Sequence, residues 1–456
     1  ATIRDGDGKP VACKVEFVPR GDVPRPDFGP ETAEFAVRNL RYAPDGDFTQ
    51  ALHPGTYDVI VSHGPEYDAV FTQVEVPAGG SAKLRATLPR VVDTTGWVSS
   101  DFHSHSSPSG DNTSSQFGRV LNLLCEHIEF APCTEHNRIT TYDEHIRRLK
   151  IGSRFANCAG IELTGQPLPL NHHNVFPLHH HPHRQDGGGP VVADDPQAQI
   201  ERLALWDNRS EKLVQQNHPD LGWLFFDKNG DGQPDEGFQG AFGFMDVIEI
   251  HPLDAAWNFT LEQQPTKNAG NRIFHWVQLL NQGYRIPGVV NTDAHYNFHG
   301  SGGLRNWLES PTDEPGKIKV LDMVHAAEHG HLIMSNGPFL QVFAQPTNGE
   351  GDTAGGELSA PDGRVTLSIK VQSPNWIDVD EVFVLVNGRL DPAHRFRRET
   401  HKDLFREGVL KFEQKLSLEL KSDAHLIVVA GAPGKQLGPV QGPAWGKQTP
   451  TAISNP

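Results

Sequence analysis

Histidines and carboxylates recur at the ends of apolar runs in the middle of this chain, at spacings that suit metal binding. His103 and His105, in WVSSDFHSH, stand two residues apart at the end of a run with strand character. Alternate residues of a strand project from one face, so both imidazoles can reach the same ion. The spacing returns in VVNTDAH, with Asp293 and His295. Between them come His136 in TEHN, Glu162 in AGIELTG, His172 in NHHNVFPL and His218 in VQQNHPD, each where an apolar run stops. Asp111 follows in the turn-rich SSPSGDN. A single histidine pair on a strand is more often a hydrogen-bonded structural feature. Its recurrence at successive strand ends argues for a shared metal site. Nitrogen and oxygen ligands without thiolate suit Zn, Mn or Fe and do not choose among them.

Other polar groups carry two readings each. His172 and His173 are adjacent, so on a strand only one of them points inward. Glu249 and His251, in DVIEIHP, repeat the two-residue spacing and either line the pocket or lie outside it. The run HHHPHRQDGGGP (179–190) is tempting as a metal tract, but its proline and glycines favour a mobile loop over the site. Asp227, Asn229, Asp231 and Asp235 match the front of a calcium loop with Gly232 at its sixth position. Phe238 stands where a bidentate Glu belongs, so the alternative is a plain Asp-Gly turn. Cys133 reads as a buried apolar residue.

Three kinds of segment surround these residues. Residues 1–92 show short alternating strands punctuated by Gly and Pro, which predicts a small β-sandwich. Over 93–340 strands and helices alternate. Strands are expected at 97–103, 128–134, 156–163, 172–178, 211–217, 245–251 and 286–293, and helices at 116–127, 195–206, 271–281 and 317–329. This order predicts an α/β fold with a distorted (β/α)7 barrel, in which functional groups collect at the carboxyl ends of the strands. Residues 341–456 return to alternating strands and predict a second small β-sandwich, with the last ten residues as a loose end.

The ordered motifs D-x-H-x-H (Asp101 to His105), T-E-H-N (Thr134 to Asn137), G-I-E (Gly160 to Glu162), H-x-N (His172 to Asn174), N-H-P (Asn217 to Pro219) and T-D-A-H (Thr292 to His295) resemble those of the polymerase-and-histidinol-phosphatase (PHP) superfamily. The resemblance covers the 93–340 segment. It implies a metal-dependent hydrolase holding two or three ions on His103, His105, Asp111, His136, Glu162, His172, His218, Asp293 and His295. T-D-H-N is commoner than T-E-H-N in the family, and its S-D-G follows HxH one residue sooner. Without Asp111 as a ligand, two ions are favoured over three. The motif order and β-rich tail look most like the CehA/McbA-type branch, which includes a carbamate and aryl-ester hydrolase. Family members often carry an Arg near the cluster, where Arg305 stands in GGLRNWLE. It is expected to bind a substrate oxyanion through its fork of donors, with a surface ion pair as the alternative. His218, His251 or His295 could protonate the leaving group. DGDFTQALHPGTYDVIV resembles the carboxypeptidase regulatory-like domain, implying an accessory unit typical of periplasmic or secreted proteins.

Composition narrows the partners. A formal net charge of −17 disfavours nucleic acid. No apolar run approaches the ~20 residues that span a bilayer. The opening ATIRDGDGKP carries no charged-then-apolar leader, so any export signal would have been processed or trimmed. Four cysteines without CxxC spacing give no disulfide framework. Of 24 histidines, 19 fall between residues 101 and 340, which is where the chemistry is expected. The substrate is then a small phosphate ester attracted to an excess of metal charge. A carboxyl-ester, amide or carbamate substrate is the alternative, and a non-catalytic binding module with structural metals is a third. Oligomeric state is not legible.

Overall fold

The computed structural model describes residues 1–166, 170–219, 239–258 and 271–456. The part that carries the candidate ligands is a mixed α/β structure in which two sheets meet edge to edge. A five-stranded sheet runs Ile161–Thr164, His172–Phe176, Leu213–Gln216, Val247–Glu249 and Gly288–Val289. A nine-stranded sheet begins with Ala156–Ala159, Phe130–Cys133 and Trp97–Ser100, which run parallel. It continues through Arg305–Glu309, Leu332–Ser335, Thr451–Ser454, Leu426–Gly431, Glu381–Val386 and Arg389–Arg397, each antiparallel to its neighbour.

The seven expected strands therefore do not form one uniform parallel ladder. His172–Phe176 runs antiparallel to both neighbours. The expected 156–163 strand is two, hinged at Gly160 into different sheets. A Cβ at Gly160 would lie 3.0 Å from Val175 O and 3.1 Å from Cys133 O, so a larger residue at the hinge would press on both carbonyls. Parallel bridges join the sheet edges at Ser104/Ala294 and His136/Glu162. These bridges bring four ligand-bearing strand ends side by side.

Local rules account for the helices. Gln116–Cys125 starts where Ser115 Oγ accepts Gly118 N–H at 3.0 Å, a side-chain cap that contributes about 1 kcal/mol. Its Phe117, Val120, Leu121 and Leu124 recur at helical spacing and are buried. Asp195 caps Pro196–Arg209 and Asn271 caps Arg272–Asn281 in the same way. Val320–Glu328 closes the helix set expected from sequence, and Asp143–Leu149 is an additional short helix. Between the sheets Phe102, Phe130 and Phe176 pack with ring centroids 5.1–6.4 Å apart. Each such burial contributes about 1.5–3 kcal/mol.

The C-terminal strands do not build a separate pair of sheets. Phe339–Pro346 crosses the expected boundary at 340 and pairs with Arg364–Gln372, which pairs with Leu410–Glu419. That three-stranded sheet packs through Leu340, Leu367 and Ile369 onto Val382, Val384 and Val428 of the large sheet. The last ten residues are not loose. Thr451–Ser454 is buried between Leu332–Ser335 and Leu426–Gly431, and Asn455 Oδ1 accepts Gly288 N–H at 2.8 Å.

At the other end, the antiparallel sheet Ala36–Val37, Leu40–Ala43, Cys13–Pro19, Gly55–Ser62, Val70–Val76 closes over Val15, Phe17, Tyr57 and Val59. It docks on the α/β part through the fully buried ion pair of Lys14 and Glu126. All four cysteines are unbridged. No helix among the described residues is long and apolar enough to cross a membrane.

Candidate metal centre

His103 and His105 leave the end of the Trp97–Ser100 strand, and Asp293 and His295 leave Gly288–Val289. The two segments are stitched by His105 N–H to Ala294 O and Asp293 N–H to His103 O, both at 2.9 Å. His103 Nε2 lies 3.0 Å from His105 Nε2 and 3.2 Å from Asp293 Oδ1, with His105 Nε2 at 3.1 Å from the same oxygen. Glu162 enters from the adjacent edge. Its Oε1 is 3.5 Å from His103 Nε2 and 3.2 Å from His172 Nδ1, and its Oε2 is 2.6 Å from His136 Nδ1 and 3.3 Å from His105 Nε2.

Four three-residue groups have donor atoms within 4.8 Å of one another: His105, His136 and His295; His103, His105 and Glu162; His103, His218 and Asp293; Glu162, His172 and His218. Asp111 is more exposed, yet its Oδ2 lies 3.2 Å from His136 Nε2 and 3.3 Å from His295 Nε2. All nine residues that the motifs single out are thus brought together.

The donor set fits divalent cations. His172 Nε2 is buried without a hydrogen-bond partner, a costly arrangement for a polar atom unless a cation accepts its lone pair. Burial opposes the charge on Glu162, but the imidazoles of His103, His136 and His172 outweigh it and hold the carboxyl well below its usual range. Asp293 behaves likewise beside His103 and His105. Burial lowers His103, yet Asp293, Glu162 and Glu249 together push it well up. Burial brings His218 down to about 4, which leaves a neutral ring at pH 7. Protons and divalent ions compete for such a site, so binding would release protons.

Polar residues behind the ligands hold them in place. Glu135 of TEHN belongs to none of the close donor groups; it accepts Ser106 N–H at 2.8 Å and Ser109 Oγ–H at 2.6 Å, fixing the loop after His105. Asp101 accepts Thr292 Oγ1–H at 2.6 Å, and burial pushes its carboxyl up to about 6. The buried Arg119 donates to the carbonyls of His105, Ala294 and Tyr296. Beneath the cluster Asn306, Asn291, Gln215, Asn217 and Asn174 form a connected chain of amide hydrogen bonds. Sequence reasoning missed these amides, because an Asn inside a strand end looks the same as one in a turn.

The remaining candidates separate. His172 points into the cluster, whereas His173 turns to Gln199 Nε2 at 3.3 Å, and burial drives it down to about 3. Glu249 reaches His103 Nδ1 at 3.2 Å, with His251 Nε2 3.5 Å from its second oxygen. Arg305 is a correction. Its side chain is fully buried and donates to Glu126 O and Gly302 O, away from the ligands. The 179–190 run folds as a turn against Ile139, whose N–H meets Asp186 O at 3.0 Å. Gly187 has φ +66°, and a Cβ there would meet Ile139 O at 1.9 Å, so this contact depends on glycine. The calcium-loop positions Asp227, Asn229, Asp231 and Asp235 lie outside the described residues.

Glu66, His127 and Glu129 form a second close group, in which Glu66 Oε2 and His127 Nδ1 face each other as an ion pair while protein donors take the other oxygens. Arg90 Nη2 and Nε bind Glu66 Oε1 at 2.6 and 3.1 Å, and Ser99 N–H fills Glu129 Oε2 at 2.9 Å. It is an ion-pair network at the docking face of the N-terminal sheet.

No protein-family model matches the chain, and no curated protein matches its sequence. Among solved structures it is similar to a two-domain protein from Bacteroides vulgatus ATCC 8482 containing a predicted PHP-like metal-dependent phosphoesterase. The identity is 13%, 79% of this chain and 97% of that chain are covered, and the TM-score is 0.38.

Proposed function

We propose that this chain is a metal-dependent hydrolase of the PHP type that acts on a small phosphate ester. His103, His105, Asp111, His136, Glu162, His172, His218, Asp293 and His295 would hold two or three divalent ions, Zn, Mn or Fe by the chemistry of the donors. Such ions would supply an activated water and polarise the bond it attacks. The observation that carries the phosphate reading is the position of Asp111. Its Oδ2 lies within 3.3 Å of both His136 and His295, where it would give a third ion an acid ligand. Three divalent ions against Asp111, Glu162, Asp293 and Glu249 leave an excess of positive charge, which draws an anion.

His251 belongs to none of the close donor groups and is a quarter exposed beside Glu249. We assign it the proton for the leaving oxygen. The second reading, a carboxyl-ester, amide or carbamate hydrolase, is favoured by Arg305, which points away from the cluster and cannot clamp a phosphate. The deciding experiment counts metals in one loaded preparation and measures hydrolysis of p-nitrophenyl phosphate, p-nitrophenyl acetate and an aryl carbamate. Turnover of the phosphate with three ions supports the first reading, and turnover of the neutral substrates with two overturns it. Ions bound without turnover of any of the three would point to a binding module.

A further inference from the structure

Glu249 is outside the ligand set that the motifs define, yet it touches two of its members from behind. It ends the Val247–Glu249 strand and is fully buried. Oε1 lies 3.2 Å from His103 Nδ1 and accepts Asn291 Nδ2–H at 3.0 Å. Oε2 accepts the backbone N–H of His218 at 2.8 Å.

Each contact has a consequence at the front of the site. A neutral imidazole carries one proton, and the nitrogen that holds it offers no lone pair. A buried carboxylate against Nδ1 keeps the proton of His103 there, and Nε2, the nitrogen that faces His105 and Asp293, is left as the electron-pair donor. The second contact acts on the main chain. His218 has φ +26°, a conformation that costs energy and persists only when its surroundings impose it. The hydrogen bond from its N–H to Glu249 imposes it and so aims the ring.

We infer that Glu249 is a positioning residue for one ion of the centre, the ion shared by His103, His218 and Asp293. It acts by fixing the tautomer of His103 and the backbone of His218. The inference rests on the proposed metal site but goes beyond its motif-defined ligands, and it is selective. The His105, His136 and His295 group, which has no contact with Glu249 among the described residues, keeps its ion.

Glu249→Gln tests it by a change of proton placement rather than of shape. Either way round, the Gln amide turns an N–H toward a donor that the carboxylate accepts, Asn291 Nδ2–H beside His103 on one side or His218 N–H on the other, so it cannot hold both ligands as Glu249 does. Titration of metal-stripped protein with Zn2+ should show binding that uses His103 and His218 weakened about 10–100-fold in the variant, with at least one site per chain unchanged. Equal affinities at every site in the two proteins would overturn the inference. Wild-type protein that binds no Zn2+ would instead remove the proposed metal site itself. A second measurement does not depend on the variant folding. Long-range 1H–15N correlation on zinc-loaded wild-type protein should find the His103 proton on Nδ1, and a proton on Nε2 would overturn the inference equally.

Discussion

Asn217 donates from Nδ2 to Glu162 Oε1 at 2.8 Å and to Asn174 Oδ1 at 2.9 Å. The residue before one ligand thus orients the carboxylate that faces His103, His136 and His172. Asn217→Ala should weaken divalent-metal affinity about 10–100-fold, as loss of an outer hydrogen-bond partner does elsewhere. Glu162→Gln, which removes the ligand charge itself, should lower affinity further and abolish hydrolysis. Competition with a chromophoric chelator measures both. Unchanged affinity in Asn217→Ala would show that the amide does not set the carboxylate.

Lys14 and Glu126 are paired at 3% and 1% side-chain exposure. Removing one partner leaves an uncompensated buried charge, so Lys14→Met should destabilise the protein by about 3–5 kcal/mol. Lys14→Met with Glu126→Leu should recover part of that loss, because both charges are gone. Urea denaturation of the two variants decides it.

Arg305 tests where the substrate-binding charge is not. Arg305→Met should leave KM for an anionic ester unchanged. It should lower the unfolding midpoint, since the guanidinium braces Glu126 O and Gly302 O from a fully buried position. A large rise in KM at unchanged stability would return Arg305 to the site.

Asp246 gives a pH dependence independent of the metal ligands. Burial pushes its carboxyl up to about 6, while it accepts Val214 N–H at 2.7 Å. The folded state therefore holds a proton that the unfolded state has already lost above its own value near 3.9. Stability from this group is full below about pH 4, falls as pH rises to about 6, and is level beyond. The fall is at most about 3 kcal/mol. Asp246→Asn should flatten that part of the stability curve, measured as thermal midpoint against pH from 4 to 7.

The ligand set could be read from sequence because each member stands where a strand pattern ends, and period-two spacing fixes which residues share a face. Strand direction could not. His172–Phe176 has the same apolar pattern whether parallel or antiparallel, so the split into two sheets was not visible. Arg305 was misjudged for a related reason. It begins a strand buried on both sides, and its nearness to His295 in sequence does not say which way its side chain turns. Thr451–Ser454 was missed because four residues beside Pro450 and Pro456 are too short to show alternation. Glu249 was visible as a candidate, but its contact with His103, 146 positions away in the chain, is a product of tertiary folding.

The position of Thr451–Ser454 bears on how the protein is made. Leu332–Ser335 stands two strands from the segment that carries His103, and one of its edges is completed only by Thr451–Ser454. During synthesis that edge must wait, unpaired, while every residue from 336 to 450 is added. A ribosome that stalls in this interval would hold out an open strand next to a nearly finished metal pocket. An exposed edge of that kind can recruit a neighbouring chain. The sheet that carries the candidate centre is therefore closed only when the last strand of the chain has been made.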